Sequence, residues 1–216
     1  MKRKRLWILP TALWAAFGLF TLLLTCVDVQ PIGPQRSAVG FATVNGWAFQ
    51  LLGVHLLWYH ITDWLGVVAI AVACAFAVVG LCQLIIRKSI RKVDRHILLL
   101  GGFYLVVIGC YLFFENVVIN YRPILMDGNL EASYSSSHTM IVVSIMATAS
   151  MAFRALCPQK RKWCLAVDIF AAAVIAVTVM GRLIAGVHWV TDIVGGLLLS
   201  AALVATYWAA CWGKKR

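Results

Sequence analysis

Apolar residues along this chain do not alternate with polar ones at a helical or strand period; they continue unbroken for long stretches, stop at basic or polar clusters, and resume. Six such runs stand out: 6–27, 64–86, 97–114, 138–154, 163–180 and 193–212. Each falls in the range of roughly 17–25 residues that one helical crossing of a bilayer needs. The pattern predicts an all-α polytopic membrane protein of six transmembrane helices, forming a single membrane-embedded domain over residues 1–216. Between the first two runs, Pro31–Asp63 is amphipathic and rich in Gly, Trp and His, which predicts a helix lying at the outer interface.

Composition agrees. Apolar residues make up 62% of the 216 positions and charged ones 12%, with a mean hydropathy of +0.89. Soluble domains run at about a quarter charged, so a soluble enzyme, a nucleic-acid binder and a disordered tail are excluded. The net charge of +11 finds its explanation in placement, since 16 of the 19 Lys and Arg residues fall in four clusters: Lys2–Arg5, Arg87–Arg95, Arg154–Lys162 and Lys214–Arg216. Cytoplasmic loops collect Lys and Arg. Four clusters on one side require an even number of crossings between neighbours, which gives six spans with both termini in the cytoplasm. The first run has a basic start like a signal peptide, but it is long and lacks a small-x-small site near Thr25–Val27, so it reads as a retained anchor.

Several features carry no chemistry. The 7 cysteines are scattered through the apolar runs without a CxxC pair and read as small buried hydrophobes. His55 and His60, five apart, do not share a helical face and read as interfacial side chains. No Walker loop, HExxH or dinucleotide fingerprint is present. Asp28, Asp63, Asp127 and Glu131 read as solvated loop charges, with Asp127-Gly128 as a turn. Asp168, inside the fifth run and about a turn and a half from Lys162, reads as a partner for that lysine or as a snorkelling side chain.

Subtracting the basic clusters leaves Arg36, Arg122 and Arg182. The last two mark the outer ends of the third and fifth crossings, where charge is costly and usually functional. Arginine suits phosphate because its planar fork reaches two oxygens at once. Around these arginines lie Ser135-Ser136-Ser137-His138 at the head of the fourth crossing, and His188 with Asp192 after the fifth. Four residues apart on a helix, His188 and Asp192 share a face. The carboxylate then accepts from one ring nitrogen and leaves the other free as a nucleophile. His138 is placed to protonate a leaving alkoxide, while hydroxyls and helix N-terminal amides hold phosphate oxygens and the arginines stabilise transferring charge. Each group has a structural alternative, an N-cap for the serines or an interfacial pair for His and Asp, and it is their conjunction on one side that favours phosphoryl chemistry.

These residues, in this order, resemble the three-part signature of the type 2 phosphatidic acid phosphatase family, the integral-membrane lipid phosphate phosphatases: K-x6-R-P, P-S-G-H and S-R-x5-H-x3-D. Here the parts read Glu115-x6-Arg122-Pro123, Ser135-Ser136-Ser137-His138 and Gly181-Arg182-x5-His188-x3-Asp192. The resemblance implies that His188 attacks phosphorus to form a phosphohistidine, that Asp192 orients it, and that His138 is the acid. It further implies that Arg122, Arg182, Ser136 and the Ser137 amide cradle the phosphate, with no metal or other cofactor.

The chain departs from the signature at Ser135, Ser137 and Gly181, which stay small or polar, and at Glu115, where the family has Lys. A carboxylate there weakens dianion binding unless it is protonated, turned away, or paired with Arg122 or Arg182 as a supporting contact. The expectation is metal-independent hydrolysis of a lipid phosphate or diphosphate, of the phosphatidic acid, phosphatidylglycerol phosphate or polyprenyl diphosphate type. The site would face the extracytoplasmic side of the cytoplasmic membrane, with the bilayer and a lipid phosphate as partners and no nucleic acid. The rivals are a lipid phosphotransferase of the same architecture and a catalytically silent lipid-binding or transport protein.

Overall fold

The structure, a computed structural model, describes residues 3–212, so Lys2 of the first basic cluster and all of Lys214–Arg216 lie outside the described residues. Seven α-helices form among the described residues: α1 (Ile8–Cys26), α2 (Ala42–Leu52), α3 (Leu56–Arg87), α4 (Arg95–Asn116), α5 (Ser137–Leu156), α6 (Arg161–Ala185) and α7 (Val190–Trp212). Six of them, all but the 11-residue α2, are long and apolar enough to cross a membrane. The fold class expected from the apolar runs is therefore the one observed.

Three boundaries differ by three residues or more, each at a charged residue; α7 begins at Val190 rather than at 193 and takes in Asp192. Helix α3 begins at Leu56 rather than at 64, so Asp63 lies inside it rather than in a loop. Helix α6 runs on to Ala185, past Met180, and takes in Arg182. A reading by hydropathy stops at a charge, but a helix stops where its backbone does. The left-handed Gly186, with φ 68°, ends α6, and Gly53, also at φ 68°, separates α2 from α3. That break replaces the continuous interfacial helix expected over 31–63. The two glycines meet: a Cβ on Gly186 would lie 2.1 Å from the Gly53 carbonyl oxygen. The His55 N–H donates to the Ala185 carbonyl at 3.1 Å, tying the start of α3 to the end of α6.

Helices α5 and α7 form the centre. Half of the most apolar window of α5 and 56% of that of α7 are buried, against 11% for α3. Helix α5 packs on α3, α4, α6 and α7, and α1 lies along α7. Small residues permit the central contact, since a Cβ on Gly196 of α7 would lie 3.1 Å from the Thr139 Cβ of α5, and one on Gly195 would meet the ring of Tyr134, in the loop before α5, at 2.3 Å. Leu24, Leu100, Met140, Leu199 and Leu203 fill one core, and Ala69, Val142, Met146 and Val174 a second.

The basic turns and the polar residues of the motifs occupy opposite ends of the bundle, because each hairpin reverses the chain. At the basic end Asp94 accepts from Arg87 at 2.9 Å and from Gln83 at 2.8 Å, and the Arg87 hydrogen bond holds its carboxyl below the usual carboxylate range. Asp168 pairs with Arg154 and Ser150 of α5 at this end, rather than with Lys162 of its own helix. At the other end, Asn45 of α2 is fully buried against the start of α7. Its amide donates to Gly40 O (2.8 Å) and Thr191 Oγ1 (2.9 Å), and its carbonyl accepts from the Thr191 N–H (3.2 Å).

Candidate active site

The loop from α4 to α5 folds back on itself and aims its polar side chains inward. The Arg122 N–H donates to Glu131 O (3.0 Å) and the Ser133 N–H to Asn120 O (2.9 Å), placing Asn120, Arg122, Glu131 and Ser133 side by side. Its tip is the expected turn at Asp127-Gly128, closed by paired bonds between Met126 and Asn129. Tyr134 anchors the loop to α1 through a 2.6 Å bond with Thr21, and burial pushes its phenol up to about 12.

His188 lies in the turn between α6 and α7, not on a helix with Asp192, and the two do not bond directly. Ser133 stands between them: its hydroxyl lies 2.6 Å from Asp192 Oδ2 and 2.9 Å from His188 Nδ1. Asp192 also accepts from the Trp189 N–H at 3.0 Å and from Asn120 Nδ2 at 3.1 Å, and it is wholly buried. Four residues of spacing thus brought His188 and Asp192 into one cluster, but through a hydroxyl the spacing does not reveal. Nε2 of His188 is buried without a protein partner among the described residues. Burial, then the Arg122 and Arg182 charges, hold His188 well below the usual imidazole range, so it is neutral near pH 7.

His138 occupies the first turn of α5, with Nε2 3.0 Å from Asp63 Oδ1. The same carboxylate oxygen pairs with Nη2 of Arg182, which is fully buried and lies 5.0 Å over the Tyr59 ring. Asp63, expected as a solvated loop charge, is therefore the group that joins Arg182 to His138. Close packing permits it, as a Cβ on Gly66, one turn along α3, would stand 3.2 Å from the His138 ring. Glu131 is likewise not merely solvated, since its carboxylate lies 3.1 Å from Arg122 Nε. Asp28 accepts the Thr43 N–H at 2.7 Å at the start of α2, and that bond lowers its pKa.

Glu115 is exposed at the end of α4 and pairs with neither arginine among the described residues; Asp63 and Glu131 hold those positions. It lines a small cavity with Ser133, Ser135 and Ser137. Ser136 caps α5 and is fully buried. Its N–H donates to the Asp192 carbonyl (3.1 Å) and its Oγ accepts from Thr139 (3.0 Å), so its amide is committed to the fold while the Ser137 amide opens the helix. Nη1 of Arg122, Nε and Nη1 of Arg182 and Oγ of Ser135 are further buried polar atoms without protein partners among the described residues. Buried donors of this kind at a helix N-terminus suit a bound anion.

Six spans with two arginines, two histidines and a buried carboxylate gathered at one end define a membrane enzyme of phosphate esters. Residues 103–216 match the family described as the PAP2 superfamily, and the chain belongs to it. It is a membrane-embedded lipid phosphatase, a hydrolase of phosphoric monoesters. The fold is similar to that in the crystal structure of the first transmembrane PAP2 type phosphatidylglycerolphosphate phosphatase from Bacillus subtilis. The TM-score is 0.64 at 17% identity, over 96% of this chain and 98% of that one. A search among curated proteins finds no match. The matched segment contains every motif residue, whereas Asn45 and Asp63 come from the part before it.

Proposed function

We propose that the chain is one membrane-embedded domain that hydrolyses a lipid phosphate or diphosphate at the outer face of the cytoplasmic membrane, through a phosphohistidine on His188. The observation that carries this reading is the placement of His188: fixed at Nδ1, with a buried Nε2 that has no protein partner among the described residues, beside two buried arginines. Nε2 attacks the terminal phosphorus and its bond to the lipid oxygen, or to the bridging oxygen of a diphosphate, breaks. The leaving alkoxide, or the leaving lipid monophosphate, takes a proton from His138, and water, giving its proton back to His138, then cleaves the phosphorus–nitrogen bond. Arg122 and Arg182 balance charge on the equatorial oxygens, with the Ser136 hydroxyl and the Ser137 amide as further donors.

Asp63 gives this site its own character. One of its oxygens touches both Arg182 and His138, the groups the reaction directs at phosphate. It holds them in place and yields that contact when a substrate oxygen arrives. Glu115 adds a second carboxylate at the rim, which disfavours crowded dianionic heads.

Phosphate release tests the proposal, using purified protein in detergent with EDTA and a panel of phosphatidic acid, phosphatidylglycerol phosphate and a polyprenyl diphosphate. Release that survives EDTA and disappears in His188→Ala supports metal-independent histidine chemistry. Transfer of the phosphate to a second lipid without release identifies the transferase instead, and neither release nor transfer by folded protein contradicts both.

A further inference from the structure

We infer that Ser133 is a positioning residue through which Asp192 acts on His188; the inference rests on the histidine chemistry proposed above. The hydroxyl of Ser133 has one hydrogen and two neighbours, Asp192 Oδ2 at 2.6 Å and His188 Nδ1 at 2.9 Å. A carboxylate that already takes the Trp189 N–H and the Asn120 amide acts only as an acceptor. The Ser133 hydrogen therefore goes to Asp192, and the hydrogen between Ser133 and His188 belongs to Nδ1. That assignment leaves the lone pair on Nε2, the atom aimed at phosphorus.

Ser133 is itself held, being nearly fully buried with its N–H on the Asn120 carbonyl at 2.9 Å, while the Asn120 side chain reaches the other oxygen of Asp192. Backbone and carboxylate thus fix the hydroxyl from two directions. As Nε2 bonds to phosphorus and the lipid oxygen departs with a proton from His138, positive charge grows on the ring. Nδ1–H passes that charge to the Ser133 oxygen, whose own hydrogen leans on Asp192. Ser133 keeps its proton throughout, and no atom of it enters the bonds made or broken.

The test uses the full chain in detergent micelles with 15N-labelled histidine, His188 being assigned by its loss in His188→Gln. The expected wild-type spectrum has His188 protonated at Nδ1 and bare at Nε2, a single tautomer that Ser133→Ala abolishes. In phosphate release from the best lipid of the panel, Ser133→Ala lowers kcat about 10- to 100-fold with KM nearly unchanged, the scale of one charge-linked hydrogen bond. Ser133→Thr, which restores a hydroxyl, recovers most of the loss.

A wild-type His188 protonated at Nε2 overturns the inference, as does a Ser133→Ala protein that keeps both tautomer and kcat. Should Ser133→Ala fail to fold, the wild-type spectrum alone decides. A wild type that releases no phosphate from any lipid defeats the functional reading, while the tautomer spectra still decide the role of Ser133.

Discussion

Replacing Asp192 by Asn keeps the shape of the side chain and removes one acceptor from a cluster built of donors. The carboxylate takes the Ser133 hydroxyl and the Trp189 N–H on one oxygen and the Asn120 amide on the other. An NH2 group on the Ser133 side donates to Ser133, which turns its hydrogen to Nδ1 of His188 and drives the imidazole proton to Nε2, erasing the nucleophile. An NH2 group on the other side makes Asn120 flip; the tautomer survives, but the charge opposite the ring is gone. At a separation of roughly 5 Å and an effective dielectric near 20, that charge is worth about 3 kcal/mol to a ring turning cationic. A lost hydrogen bond to a charged group adds about 1.5–3 kcal/mol in the first orientation. The expected fall in kcat thus lies between about 10² and 10⁴, since each 1.36 kcal/mol is about tenfold. Phosphate release in detergent measures it, with Tm confirming a folded protein. An Asp192→Asn variant that keeps more than about a tenth of wild-type kcat would refute the reasoning.

Asp63→Asn removes the charge that competes with phosphate for Arg182 and His138, so inhibition by orthophosphate should tighten about three-fold or more; an unchanged or weaker inhibition constant contradicts the proposed contact. Asn45→Ala strands the Gly40 carbonyl and the Thr191 groups at the buried head of α7 and should cost about 2–3 kcal/mol, read as a lower unfolding midpoint in detergent. His188 is held below its usual range, so its neutral, reactive form persists as pH falls through 6.5, and the acid limb of kcat/KM should lie below that value. An acid limb at or above 6.5 would show that the imidazole is not desolvated as the structure has it.

The six crossings were legible because lipid imposes one requirement, about 20 apolar residues with internally satisfied backbone, and the chain meets it six times. The ends of α3 and α6 were not legible for the complementary reason. Asp63 and Arg182 read as boundaries singly and become tolerable inside helices only as partners, a contact between residues 119 positions apart that no local pattern announces. The motif residues Arg122, Arg182, His138, His188 and Asp192 come together as their shared side suggested. Ser133 stood in a run of polar loop residues with nothing to single it out, and the i, i+4 spacing of His188 and Asp192 offered a simpler contact than the one that forms. Glu115 was expected to support an arginine because it occupies a motif position. The loop fold instead brings Glu131 to Arg122, through a backbone pairing that depends on the Asp127-Gly128 turn.

The most direct test of the central claim is capture of the phosphorylated enzyme. The protein is mixed with a 32P-labelled lipid phosphate from the panel, quenched in base after milliseconds, where phosphohistidine survives and phosphoserine does not, and the labelled peptide is sequenced by mass spectrometry. The account predicts acid-labile label on His188, accumulating when His138→Ala slows its hydrolysis by water. Label on another residue, or rapid turnover with no covalent label in either protein, would contradict it.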